Sequence, residues 1–332
     1  MPRLRATPED FRVEEIPLYA PSGAGEHTFL CVEKRGRTTE DVARVLSEIA
    51  GVARRDVGYA GRKDRDAVAR QWFSVPRLSP ERALEFTREG LRVLEAIPHR
   101  HKLRTGQLAG NRFEIVVREV DEGAATHSAQ VLSRLCASGM PNRFGPQRFG
   151  WDGGNVEQGL KIVRGAYAGM DRRKARFLVS ALQAAVFNEV LRLREAPLSS
   201  VERGEIAVVH ATGGLFRVED AAREQPRANL FEISATGPIF GGRTLDPDGS
   251  ARERERAALA AVGIDPDQPL RPPRGMELRG ARRALRVRPE EVAVEPLPEA
   301  LRLRFTLPPG SFATVLIEEL FGSAVAFGSD SR

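Results

Sequence analysis

The sequence predicts an α+β chain, mixed α/β in its order of elements, whose first and last segments share one sheet around a largely helical middle. Three observations carry this expectation. Strand and helix signals alternate through the first part of the chain, at a spacing too irregular for a parallel, doubly wound sheet. Residues 155–168 and 172–194 then turn strongly helical. Last, a clean period-2 strand, Leu301, Leu303, Phe305 and Leu307, arrives close to the end.

The elements follow in order. Thr28-Phe29-Leu30-Cys31-Val32-Glu33 reads as a strand. Thr39-Glu40-Asp41 opens a helix whose apolar residues Val42, Val45, Leu46 and Ile49 fall on one face, and Gly51 ends it. Further strands are expected at 57–60, 71–75, 91–97 and 112–117, with helices over 80–89 and 124–137. In the middle, 205–209 and 214–218 are short strand candidates. A loop-rich stretch with Gly237, Gly241 and Gly242 follows, and then a charged helix from about residue 252. Residues 265–274 carry four prolines and read as a linker. A final helix is expected at 311–320. No repeat and no low-complexity tract occurs.

Composition narrows the class. The 332 residues are 41% hydrophobic and 29% charged, as in soluble globular proteins, and suffice for one large or two medium domains. Two cysteines exclude a disulfide framework or a cysteine-rich zinc module. With no long apolar run and no signal-peptide pattern, a cytoplasmic protein without a membrane partner is expected. Lys+Arg is 51 against 45 Asp+Glu, and only five of the 51 are lysines. The pI is near 9.8. Two basic runs stand out, His99-Arg100-His101-Lys102-Leu103-Arg104 and Arg172-Arg173-Lys174-Ala175-Arg176. Arginine forks bind phosphate bidentately, so these runs point to a nucleic-acid partner, although charge runs are also ordinary solvated faces.

No phosphate loop, no HExxH and no dinucleotide fingerprint is present. The five histidines include no i, i+4 pair, which argues against a metal site. What stands out is Gly58-Tyr59-Ala60-Gly61-Arg62-Lys63-Asp64-Arg65-Asp66-Ala67-Val68-Ala69-Arg70-Gln71. A strand runs into a turn, then a carboxylate flanked by cations, then a second strand. Cations that close favour the ionised form, and an ionised carboxylate can attack carbon. From spacing alone, capping a turn beside solvated arginines is the commoner fate of such a Lys-Asp pair.

These residues resemble the signature of the TruD family of tRNA pseudouridine synthases, Gly-x-Lys-Asp-x-x-Ala-x-x-x-Gln. Five further blocks occur in the family's order. They are Pro8-Glu9-Asp10-Phe11-Arg12-Val13-Glu14-Glu15, Gly110-Asn111-Arg112-Phe113, Pro141-Asn142-Arg143-Phe144-Gly145-Pro146-Gln147-Arg148-Phe149-Gly150, Gly237-Pro238-Ile239-Phe240-Gly241, and Leu307-Pro308-Pro309-Gly310-Ser311-Phe312-Ala313-Thr314. There are two departures. Arg143 stands where an aromatic residue is usual, and Arg5 lies where a lysine is common.

The resemblance implies a pseudouridine synthase catalytic domain on a mainly antiparallel sheet, formed by residues 1–138 and 287–332, with an inserted TRUD-type domain at 139–286. It implies an isomerase that converts uridine 13 in the D arm of tRNA to pseudouridine. Asp64 matches the catalytic residue, and Phe11, Asn111, Phe113 and Phe312 match positions lining the uridine pocket. Lys63 and Arg62 are candidates to pair with Asp64 or with phosphate, and Gln147 and Arg148 to position RNA or tie the domain junction. Aromatic faces and an amide are what an unstacked uracil needs. Without the motifs, the three phenylalanines read as core and Asn111 as a turn residue. Asp64 could add to C6 of the base, attack C1′, or take the C2′ proton. Each route needs one carboxylate, no metal and no redox cofactor, and no obligate protein partner is expected. A non-catalytic RNA-binding protein is the alternative in another class. A metal-free nucleoside or glycoside hydrolase would want a second, opposed carboxylate.

Overall fold

Leu301, Leu303, Phe305 and Leu307 are all buried, while Arg302, Arg304 and Thr306 between them are not, so this segment is a strand with one dry face. The same alternation builds most of the molecule's larger sheet. In this computed structural model, residues 1–150, 152–166, 169–322 and 326–327 are described.

The chain begins with β1 (Arg3–Leu4), β2 (Phe11–Pro17), β3 (His27–Lys34), α1 (Thr39–Ala50), β4 (Gly58–Tyr59) and β5 (Val68–Pro76). It continues through α2 (Pro80–Leu84), β6 (Thr87–Arg88), β7 (Leu91–His99), β8 (Leu108–Arg118) and α3 (Ala124–Ser138). The middle carries β9 (Met140–Pro141), α4 (Gly154–Val163), α5 (Arg172–Leu193), β10 (Ile206–Val209) and β11 (Leu215–Arg217). It ends with α6 (Ala221–Asn229), β12 (Ile233–Ile239), α7 (Gly249–Ala261), β13 (Ala281–Ala284) and β14 (Arg286–Val287). Then come β15 (Glu290–Leu297), β16 (Ala300–Leu307), α8 (Ala313–Phe321) and β17 (Ala326–Phe327).

Two compact units result. One comprises Met1–Ser133, Pro289–Ala313 and Ile317–Arg332, the other Arg134–Arg288 and Thr314–Leu316. The first holds a sheet ordered β15-β16-β8-β2-β5-β3-β7-β6, antiparallel throughout that path except between β2 and β5. The late strand β16 pairs with β8 over its whole length, as expected of a sheet shared by both ends of the chain. Helix α1 covers one side, packing Val42, Val45 and Leu46 with Leu30, Val32, Phe73 and Val75. Its start is fixed by a capping box, Thr38 accepting from the Asp41 amide, and its end by Gly51 at φ +67°.

The second unit has the antiparallel sheet β11-β10-β12-β13. Its core joins Leu178, Leu182, Val186 and Phe187 of α5 with Ala207, Ile233, Ala235 and Leu285. Strand β12 lies in the stretch read from sequence as loop. A Cβ on Gly237 would stand 3.0 Å from the Phe187 ring, so the glycine allows β12 to sit close against α5. Another difference falls at 80–89, where the helix stops at Leu84 and β6 turns back on β7 through Glu89-Gly90, with Gly90 at φ +68°. Helix α4 ends at Val163, and the last two residues assigned to it, Tyr167 and Ala168, lie outside the described residues. No helix among the described residues is long and apolar enough to cross a membrane.

Candidate active site

The segment between β4 and β5 is anchored from three strands and one helix. Gly58 sits against the Leu103 carbonyl with no room for a Cβ, and the Ala60 carbonyl accepts from the Gly106 amide at 2.7 Å. Gln71 Nε2 donates to the Gly61 carbonyl at 2.5 Å. Thr39 Oγ1, at the start of α1, accepts from the Lys63 amide at 2.9 Å and donates to Gln71 Oε1 at 3.0 Å. Lys34 Nζ from β3 donates to the carbonyls of Asp64 (2.5 Å) and Arg37 (2.7 Å). The Lys63 ammonium meets Glu15 Oε2 from β2 at 2.6 Å, and Glu15 Oε1 accepts from the Trp72 amide at 3.3 Å. The charged anchors lie deep in the fold. The Lys63 and Glu15 side chains are 6% and 1% exposed.

Burial dominates the titration of these groups. It lowers the Lys34 ammonium to about 8, with nearby Asp64 opposing the shift. It pushes the Glu15 carboxyl up, although Lys63 and the Trp72 amide pull it back. Such groups persist in a core only when hydrogen-bonded, and here their bonds hold the loop that carries Asp64.

Asp64 itself is partly open, its side chain 28% exposed. Its Oδ2 meets Arg5 Nη2 at 2.8 Å. Arg5 follows β1 and adopts φ +56°, uncommon for a residue with a Cβ. Its guanidinium also lies 4.4 Å over the Phe11 ring. Phe11 meets Phe113 edge-on at 6.2 Å, and Phe113 stacks on Phe305 at 5.3 Å. Across the β2–β8 pair, Asn111 stands opposite Glu15. Its Oδ1 is buried and has no hydrogen-bond partner among the described residues. An orphaned acceptor is a costly feature in a finished core, and a ligand N–H is one way to satisfy it.

The structure thus brings Asp64, Phe11 and Phe113 together through Arg5, with Asn111 linked to the same loop through Glu15 and Lys63. Phe312 is half-buried, immediately before α8 and after the Pro308-Pro309-Gly310 turn. Arg62 is 72% exposed and pairs with Glu40 at 2.7 Å, while Lys63 is engaged by Glu15. Gln147 and Arg148 belong to the second unit, where Arg148 donates to Ser180 Oγ at 2.9 Å and lies over Phe177 at 5.4 Å. Sequence reasoning noted Arg5 only as a departure and gave no role to Lys34. Both act over long sequence separations, and nothing in their local pattern marks them.

The basic run at 99–104 is largely absorbed by structure. His99 is buried against Phe29 and Tyr19 and accepts from the Ser22 amide, Lys102 donates to the Arg55 carbonyl, and Leu103 is core. Arg100, His101 and Arg104 face solvent.

Comparison with known proteins is consistent along the whole chain. The family model for tRNA pseudouridine synthase D (TruD) matches residues 2–170 and 156–320. A tRNA pseudouridine synthase D from Anaeromyxobacter sp. (strain Fw109-5) is 44% identical over 325 residues, covering 96% of this chain and 91% of that protein. One from Thermus thermophilus is 44% identical over 321 residues, covering 96% and 88%. A crystal structure from Methanosarcina mazei, described as a putative tRNA pseudouridine synthase D, superposes with a TM-score of 0.69 at 21% identity. It covers 96% of this chain and 92% of that one, which supports the mixed α/β fold with its mainly antiparallel sheet. The chain belongs to the TruD family of tRNA pseudouridine synthases.

Proposed function

We propose that this protein is an isomerase that converts uridine 13 in the D arm of tRNA to pseudouridine in the cytoplasm, with Asp64 as nucleophile or base. The observation that carries the reading is the Arg5-held Asp64 carboxylate, one guanidinium away from the Phe11 ring. In the reaction the N1–C1′ bond breaks, the uracil turns, C5 bonds to C1′, and the C5 proton leaves as N1 gains one. Asp64 adds to C6, attacks C1′ or takes the C2′ proton. Arg5 fixes the direction of its carboxylate. Phe11 and Phe113 offer aromatic surface to the base. Asn111 Oδ1 accepts from a base N–H, and its own N–H donors face a base carbonyl. Phe312 closes the pocket. The partition into two units supports a discontinuous catalytic domain, 1–138 with 287–332, and an insert at 139–286.

Tritium release from C5-labelled uridine in tRNA tests the reading. Isomerisation frees the label stoichiometrically with pseudouridine. Binding without release would leave an RNA-binding protein, and free uracil would mean a hydrolase.

A further inference from the structure

We propose that α5 and residues 271–279 of the second unit form a groove that binds the phosphate backbone of the tRNA. The inference rests on the tRNA reading above for the identity of the polymer. Arg172 and Arg176, one turn apart on the exposed side of α5, face Arg271 and Arg274 around a hollow of about 330 Å³. Arg176, Gly275 and Met276 also line a second hollow of about 520 Å³ that reaches Gln183 and carries Glu277, paired with Arg279 at 2.9 Å, so the two form one elongated groove with its unpaired cations at the first hollow.

Its walls are fixed. The Arg271 amide donates to the Val163 carbonyl at 2.7 Å, and the Met276 amide to the Pro273 carbonyl at 2.9 Å. That second bond closes a turn with Gly275 at φ +79°, the position of a type II turn that favours glycine. Gln183 is tied to the Phe240 carbonyl at 2.6 Å.

The charge pattern around the hollow favours an anion. Several other arginines of the same unit carry acids, as in Arg192–Glu189 (2.6 Å), Arg254–Glu205 (2.6 Å) and Arg282–Glu255 (2.6 Å). Among the described residues, none of Arg172, Arg176, Arg271 and Arg274 has a carboxylate within ion-pair distance. The start of α5 is capped by Asp171, whose carboxylate accepts from the Arg173 and Lys174 amides, while the first turn itself holds only cations and no acid. Four guanidinium forks around one hollow, with no carboxylate among the described residues in ion-pair reach of them, suit an anionic ligand. Forks bind phosphate bidentately, and the length of the groove suits successive phosphates.

The test compares wild type with the quadruple variant R172Q/R176Q/R271Q/R274Q, using transcribed tRNA over a range of salt. The expected result is an affinity loss on the order of tenfold or more at low salt, and a slope of log K against log salt flatter by roughly 1.5–3, the share of two to four phosphate contacts. The melting temperature should match or exceed wild type, and turnover at saturating tRNA should persist. Unchanged affinity and slope would overturn the groove while leaving the enzyme reading intact. Weaker binding with an unchanged slope would overturn it too, as an indirect effect. If the quadruple variant does not fold, the double variants R172Q/R176Q and R271Q/R274Q decide the matter: each should flatten the slope by roughly half as much, and an unchanged slope in both would overturn the groove. Wild type that binds tRNA but makes no pseudouridine would sink the proposed function alone, because slopes remain measurable.

Discussion

The two faces of the larger sheet carry the same residue types on the same strands, with opposite consequences. On β2, β3, β5 and β8 the inward positions include Glu15, Lys34, Gln71 and Asn111, while the outward positions include Glu14, Glu33, Arg70, Arg112 and Glu114. Inside, each polar group has one assignment. Glu15, Lys34 and Gln71 hold the loop of Asp64, and Asn111 presents an acceptor with no partner among the described residues. Outside, the charges form a ladder of exposed pairs: Arg70–Glu33 at 3.1 Å, Arg112–Glu14 at 3.7 Å and Arg304–Glu114 at 2.9 Å. A one-residue step along a strand moves a carboxylate from a structural anchor to a solvated pair. The loss expected on removing a charge depends on its face far more than on its sequence neighbourhood.

The largest contrast should come from Asp64→Asn. The amide keeps volume and can accept from the Asp66 amide, so folding and tRNA binding should survive. As a poor nucleophile and base, it should take turnover below the roughly 10²–10⁴-fold loss typical of an acid–base helper, to the assay background. Product analysis, a melting curve and a binding isotherm on one preparation decide it. Substantial turnover by the folded variant would remove Asp64 from the mechanism. Next in size, Lys63→Met should destabilise the protein by about 3–5 kcal/mol, because it strands the Glu15 charge in the core. Chemical denaturation reads this directly, and a loss far below that range would mean that Glu15 finds another partner.

The sequence made one face easier to read than the other. Alternation in Leu301, Leu303, Phe305 and Leu307 exposed the late strand, and Thr39-Glu40-Asp41 with Gly51 framed α1, because both signals are local; the cap itself falls one residue earlier, at Thr38. Strand β12 was missed because Gly237 and Pro238 look like loop residues until Phe187 is seen packed against the glycine. Strand β15, Glu-Glu-Val-Ala-Val-Glu-Pro-Leu, was missed because it is an edge strand with few buried positions. In the site, family motifs marked Asp64 and the aromatic residues. They did not show that Arg5, 59 positions away in the chain, would be the cation beside Asp64. Nor did they show that the adjacent Lys63 would turn to Glu15. Those partners are set by strand order.

Lys34 gives the inner face a pH signature. Its folded value, about 8, lies below the ordinary 10.5, so between these limits the unfolded chain binds more protons. Stability should therefore rise as pH increases through 8 toward 10.5, by roughly 3 kcal/mol at most from this group. Other groups titrate in the same window, so the readout is the difference between wild type and Lys34→Met, which should lose this rise. Parallel stability curves would show that Lys34 is not held as a buried cation. A smaller effect is expected at Arg5. Arg5→Ala removes a hydrogen bond to a charged group, typically about 1.5–3 kcal/mol. It should lower kcat on the order of tenfold to a hundredfold with little change in KM, and Arg5→Lys should recover part of it. A change confined to KM would make Arg5 an RNA contact instead.

The smallest effect belongs to the outer ladder, and it is the sharpest check on the comparison. Glu114 pairs with Arg304 and stands opposite Arg12 and Arg304 in the strand register, so by its neighbours it looks as important as Glu15. Its side chain, however, is 35% exposed, where water competes for each charge and salt screens the pair. Glu114→Gln keeps shape and hydrogen-bonding ability while removing the charge. It should cost about 0.2–1 kcal/mol at low salt, less at high salt, and leave pseudouridine formation unchanged. Glu15→Gln, the matched substitution on the inner face, leaves the Lys63 ammonium buried without its counter-charge and should cost several times more, with little dependence on salt. Equal losses for the two glutamines, or equal salt dependence, would mean that burial is not what divides the faces.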